Sequence, residues 1–88
     1  MISESQLQRR KRLLYQSTHR GTKEADLIIG GFAQKHLANL SEDLLNSFEE
    51  LLSVSDPDLM LWINEQDSPP RVYQTDLWNL IIEYKNNR

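Results

Sequence analysis

The stretch Ala25-Asp26-Leu27-Ile28-Ile29-Gly30-Gly31-Phe32-Ala33-Gln34-Lys35-His36-Leu37-Ala38-Asn39-Leu40 decides the fold. Within it Ala25, Ile28, Ile29, Phe32, Ala33, His36, Leu37 and Leu40 recur at steps of three and four. That spacing lines side chains along one stripe of an α-helix, whereas a strand repeats every second residue. The stripe predicts a central helix over residues 22–39, with His36 half-buried at its edge. Gly30 and Gly31 each cost such a helix about 1 kcal/mol relative to alanine. Close approach of a neighbouring helix is one compensation for them; simple tolerance of both glycines is the other.

Upstream, the pattern predicts a first helix over residues 5–18, with Leu7, Leu14 and Tyr15 inward and Arg9, Arg10, Lys11 and Arg12 on its surface. Gly21 ends it, because glycine takes the left-handed backbone without a Cβ penalty. Downstream, Ser41 reads as the N-cap of a third helix, followed by Glu42 and Asp43 where the helix dipole favours anions. Leu40 and Leu45 are spaced as a hydrophobic staple around that cap, and Leu44, Leu45, Phe48, Leu51 and Leu52 form the core face. A fourth helix starts at Asp56-Pro57-Asp58, with Asp56 as N-cap and Pro57 at the first helical position, and carries Leu59, Trp62 and Ile63 inward to about Glu65. Ser68-Pro69-Pro70 breaks the chain. A fifth helix over residues 75–86 then places Leu77, Ile81 and Tyr84 on one face, with Trp78 and Ile82 beside them. The expectation is an all-α, single-domain chain of five helices, monomeric when free, with Ile28, Phe32, Leu37, Phe48, Leu52, Leu59, Trp62 and Ile81 in its core.

Composition narrows the chemistry. At 88 residues the chain is one domain, since halves of it would be too small to bury a core. It has no cysteine, so disulfides, thiolate metal sites and a cysteine nucleophile are excluded. Its two histidines, His19 and His36, are too few for a zinc site without cysteine partners, and no serine or aspartate context suggests nucleophilic catalysis. The pairs Glu42/Asp43, Glu49/Glu50 and Asp56/Asp58 are explained by capping and solubility, because an acid–base pair needs an enclosing pocket that a short helical chain seldom builds. No apolar run suits a signal peptide or membrane span. The compartment expected is the cytoplasm, or an organelle matrix if a transit segment was removed.

Charge is divided along the chain. Residues 1–24 carry a balance of +4 and the remainder −7, within a net charge of −3. A basic end steers toward an acidic protein surface or toward nucleic acid, but the acidic bulk would repel a phosphate backbone. No helix-turn-helix with a basic second helix is present, so protein is the better partner. A nucleic-acid-associated helical protein and an antitoxin-like partner of some other protein remain the alternative readings.

One segment concentrates chemistry: Arg20-Gly21-Thr22-Lys23-Glu24, at the junction of the first two helices. Read locally, Gly21 ends one helix and serves as N-cap of the next, Glu24 reaches back to free amides from the third position, and Arg20 suits a helix C-terminus. Arg20, Gly21 and Glu24 also supply the Arg-Gly-x-x-Glu signature of the SdhE family of succinate dehydrogenase assembly factors, which the chain resembles. The resemblance continues through Asp26, Phe32 with Ala33, Asp56-Pro57-Asp58-Leu59 and Trp62, and so covers nearly the whole chain. Many relatives have methionine where this chain has Thr22.

The resemblance implies a compact five-helix bundle that binds the flavoprotein subunit of succinate dehydrogenase, or that of the related fumarate reductases, and promotes covalent attachment of FAD to a client histidine. It implies no enzyme activity and no stably bound cofactor of its own, the FAD being the client's. Arg20 and Glu24 would make charged hydrogen bonds to the client and Gly21 would permit close backbone approach, with Thr22, Lys23 and Asp26 beside them. Arg9 and Arg12, on the basic first helix, would steer the encounter. The implied home is a bacterial cytoplasm or the mitochondrial matrix.

Overall fold

The second helix is the axis about which the others pack, and its composition explains why. The structure, a computed structural model, describes the backbone of residues 2–88 and the side chains from Gln6 onward. Helix α1 is Ile2–Thr18; α2 covers 23–39; α3 is Glu42–Leu52, α4 Asp56–Ile63 and α5 Asp76–Asn86, with a single 3-10 turn at Arg71–Tyr73 before α5. There is no strand among the described residues, and the fold is the expected all-α, compact five-helix arrangement. α1 and α5 both lie against α2, and each also touches α3.

α2 is not uniform. It opens as α-helix (Lys23–Ala25), widens to a π turn (Asp26–Gly30), returns to α-helix (Gly31–His36) and tightens to 3-10 (Leu37–Asn39). Its stripe is buried as the spacing predicts: Ala25, Ile28, Ile29, Phe32, Ala33, Leu37 and Leu40 are all in the core, and His36 is half-buried. The two glycines are contact points. A Cβ on Gly30 would stand 3.0 Å from the Ser17 carbonyl oxygen and 3.2 Å from Thr18 Cα, so the end of α1 lies directly on α2. A Cβ on Gly31 would meet the Tyr84 hydroxyl of α5.

Phe32 joins three helices, with its ring 5.9 Å from that of Phe48 and 6.1 Å edge-on from that of Tyr84. Phe32, Phe48, Leu59 and Ile81 are fully enclosed, and Ile28 and Leu37 nearly so. Leu52 and Trp62 are only partly buried, packed against the core's edge; Trp62 lies in a second aromatic group with Tyr73 and Trp78. Ser41 and Thr75 cap α3 and α5, accepting from the amides of Leu44 and Trp78.

Three local expectations are corrected. α1 presents Leu13 and Ser17 to the core, while Leu7, Leu14 and Tyr15 face outward at 56 %, 36 % and 65 % exposure. A shift of one residue turns a helix by about 100°, and which stripe of a cation-rich helix goes inward depends on what the cations can reach. Thr22, not Gly21, is the N-cap of α2, accepting from the Ala25 amide, which puts Glu24 in its first turn. Ser55, not Asp56, precedes α4 as its N-cap position, and Asp56 is the first helical residue.

The glycine contacts generate a testable contrast. Gly30→Ala gains helix propensity but drives a methyl into the backbone of α1, and should cost about 1–3 kcal/mol. Gly31→Ala meets only the far end of a side chain that can swing away, and should stay within about 1 kcal/mol of the parent. Thermal melting compares them, and a Gly31→Ala protein less stable than Gly30→Ala would contradict the packing.

Candidate functional site

Turn residues 19–22 meet the α3–α4 turn at one end of the bundle. The backbone has a positive φ of 110° at Gly21, a conformation side chains with a Cβ rarely adopt. The turn is closed from behind: the Asp26 carboxylate accepts from the Arg20 amide at 2.7 Å, and the Asp26 amide donates to the Thr22 carbonyl at 3.0 Å. Asp26 is therefore an internal brace of the turn.

Arg20 reaches in the other direction. Its Nε donates to Asp56 Oδ1 at 2.7 Å, Nη1 to the Leu52 carbonyl at 2.7 Å and Nη2 to the Val54 carbonyl at 2.5 Å. The side chains of Arg20 and Asp56 are only 8 % and 12 % exposed. The Leu52 carbonyl closes α3, where helical acceptors lose their intrahelical partners, and the Val54 carbonyl lies in the turn just beyond it. One guanidinium thus satisfies two orphan acceptors and a carboxylate, using the planar donor fork that lysine lacks.

Around this clamp lies a shallow open depression lined by Tyr15, His19, Gly21, Thr22, Asp56 and Pro57, among others. His19 stacks on Tyr15, their rings 4.0 Å apart, and its Nδ1 lies 2.8 Å from the Tyr15 carbonyl. Gly21, Thr22, Lys23 and Glu24 are exposed on its rim or next to it. Tyr15, His19, Asp56 and Pro57 are site residues that the sequence pattern alone does not assign. The four-residue step from Tyr15 to His19 was the available signal for the first two. Nothing local could pair Arg20 with a carboxylate 36 residues away.

The other expected site residues lie elsewhere. Arg9 donates from Nε and Nη2 to Glu49 Oε1 at 2.9 and 2.6 Å, and Arg12 from Nη2 to Glu49 Oε2 at 2.9 Å. Arg9 stands eleven residues before Arg20, about 16 Å along the helix. Arg10 donates to the Leu37 and Leu40 carbonyls at 2.6 and 3.1 Å. The basic run is thus largely turned onto α3 and the end of α2, where it straps α1 down. The hydrogen bonds from Arg12 and then Arg9 hold the Glu49 carboxyl below the usual carboxylate range, outweighing a smaller upward push from burial. Among the described residues no group of three or more His, Cys, Asp or Glu could hold a metal, and no helix is long and apolar enough to cross a membrane.

Comparison with known proteins matches residues 11–85 to the family described as flavinator of succinate dehydrogenase. The chain is 37 % identical over 78 residues to the mitochondrial succinate dehydrogenase assembly factor 2 of Dictyostelium discoideum, covering 89 % of this chain and 55 % of that protein. Proteins of the same name from Candida glabrata and Danio rerio are 41 % and 33 % identical, over 99 % and 91 % of this chain and 60 % and 52 % of theirs. The chain therefore spans little more than half the length of these relatives.

Two measurements follow from the geometry. Arg20→Ala would leave a buried carboxylate and two carbonyls unpaired and should cost about 3 kcal/mol or more, whereas the exposed Glu24→Ala should stay within about 0.5 kcal/mol; equal melting of the two variants would refute the clamp. For the strap, the lowered Glu49 value means its contribution is full above the ordinary glutamate range and is lost as pH falls through the folded-state value. The stability gap between the parent and Glu49→Gln should close in acid, and a gap that persists or widens there contradicts the assignment.

Proposed function

Since the chain belongs to the family of succinate dehydrogenase flavinators, we propose that it binds the flavoprotein subunit of succinate dehydrogenase and promotes covalent attachment of FAD, without contributing a catalytic group. The observation that carries this reading is the family match over residues 11–85, which includes the Arg20–Glu24 turn. The reading also suits the chemistry of that turn, which offers a shallow, hydrogen-bonded surface and exposed polar groups rather than an enclosed reaction site.

The mechanism is one of selection. Attachment requires the client to hold its isoalloxazine ring and its own histidine in reactive geometry, and such geometry is equivalent to a large effective concentration. A partner that binds the competent client conformation more tightly than others raises its population by its differential affinity. Gly21 gives the client close access to backbone, Glu24 offers an exposed carboxylate for a charge-assisted hydrogen bond, and Thr22 and Lys23 extend the same rim. Arg20 and Asp26 support the surface from below. The factor works where the client matures, in a bacterial cytoplasm or the mitochondrial matrix.

The test mixes purified chain, apo-flavoprotein subunit and FAD, and follows flavin fluorescence retained by the subunit after denaturation. Attachment should accelerate with added chain. Glu24→Ala should lose client affinity by roughly tenfold or more while melting with the parent, and Gly21→Val should lose affinity and stability together. Unchanged attachment rates with the parent, or flavin transfer by the chain alone to an unrelated acceptor, would overturn the proposal.

A further inference from the structure

The α3–α4 turn has no role in client binding so far, yet it supplies one wall of the depression. Ser55, Asp56 and Pro57 line it opposite Tyr15, Gly21 and Thr22. These two walls are 36 residues apart between Arg20 and Asp56, and what joins them is the Arg20 guanidinium, held by the Leu52 and Val54 carbonyls and by the one carboxylate of Asp56. Asp56 Oδ1 accepts from Arg20 Nε, while Oδ2 lies 3.7 Å from where a Gly21 Cβ would stand. The same side chain thus holds the arginine and abuts the glycine of one signature. Ser55, which precedes α4, makes no side-chain cap to a backbone amide; its hydroxyl donates to Asp58 within the same turn, so the side-chain bonds that tie this corner to the Gly21 turn are those of the clamp.

Resting on the assembly-factor reading, we infer that Asp56 is a positioning residue for client docking. Through Arg20 it holds the Ser55-Asp56-Pro57 corner against the Gly21 turn, so that two distant turns present one continuous surface to the flavoprotein. Neither charge of the pair is the contact. Beside Glu24, the contacts are the exposed backbone at Gly21, Thr22 and the Pro57 ring, and they lose register with one another when the clamp is weakened. Pro57 is suited to such a corner because its ring fixes φ and adds no ordering cost on binding.

The decisive measurement is the dependence of flavin attachment on factor concentration, at a temperature where every variant is folded by circular dichroism. Asp56→Asn keeps the shape but removes the charge that anchors the guanidinium, and should raise the half-saturating concentration roughly tenfold while leaving the plateau rate intact. Ile63→Val, in the buried interior of the same helix, lowers stability without touching the corner and should leave half-saturation unchanged. Arg20→Lys provides a second route and should shift half-saturation in the same direction. Because the two residues act as a unit, the double variant should be no worse than the worse single one.

A parent that does not accelerate attachment overturns the assembly reading and this inference with it. A responsive parent with Asp56→Asn saturating at parental concentrations overturns the inference alone. So does additivity of the Arg20→Lys and Asp56→Asn effects, which would mean that each side chain meets the client separately.

Discussion

A guanidinium taken out of water must find partners for its donors, and the bundle arranges itself so that Arg20 does. Its side chain is only 8 % exposed, and its hydrogen bonds run to the end of α3 and the start of α4. Its own amide is held by Asp26 of α2. Four of the five helices therefore end, begin or turn within reach of one residue. The desolvation of such a pair offsets much of its attraction, so its main effect is geometric: other placements of the α3–α4 turn would leave a buried charge unpaired. Net stability still comes chiefly from the apolar stripe of α2 and the rings around Phe32.

The same device recurs. Arg10 of α1 takes the carbonyls of Leu37 and Leu40 at the end of α2, and Lys85 of α5 takes that of Ile63 at the end of α4. Helices commonly close with a glycine at this point, but the chain has three glycines in all and uses them otherwise, at the turn after α1 and on the α2 surface. α4 closes with Glu65 at a φ of 60°, a position glycine would fill with less strain. Orphan carbonyls are instead met by cations from distant helices. This is why the basic run in α1 is scaffolding as much as surface. With Arg9 and Arg12 paired to Glu49, the charge division along the sequence overstates the field α1 projects into solvent.

What could be read from the sequence follows from this division between local and distant partners. The α2 stripe, the Ser41 cap, the proline break and the fifth helix depend on neighbours within a turn or two, and the structure bears them out. The inward face of α1 does not. Leu7, Leu14 and Tyr15 form as plausible a stripe as the one through Leu13 and Ser17, and the choice is made by carbonyls and a carboxylate on other helices. The π turn at Asp26–Gly30 leaves no compositional mark beyond Gly30, whose reason is the backbone of α1 beside it. The caps before α2 and α4 sit one residue away from where the sequence pattern puts them, since Gly21, Thr22, Ser55 and Asp56 are all acceptable there, and Asp56 is drawn away by Arg20.

Charged residues in a short signature invite the assumption that both reach out to a partner. Here the signature splits. Arg20 faces the interior and Glu24 faces solvent, with Gly21 between them in a conformation that the clamp and the Asp26 brace both support. On the assembly reading this split has a thermodynamic use. A factor can shift its client's conformations only by the difference between its affinities for them, and any disorder in its own docking surface subtracts from the affinity available. A domain this small has little core with which to stiffen its loops. Placing a tridentate, nearly buried arginine directly beneath the exposed turn stiffens the surface locally, where stiffness adds most to discrimination between client states.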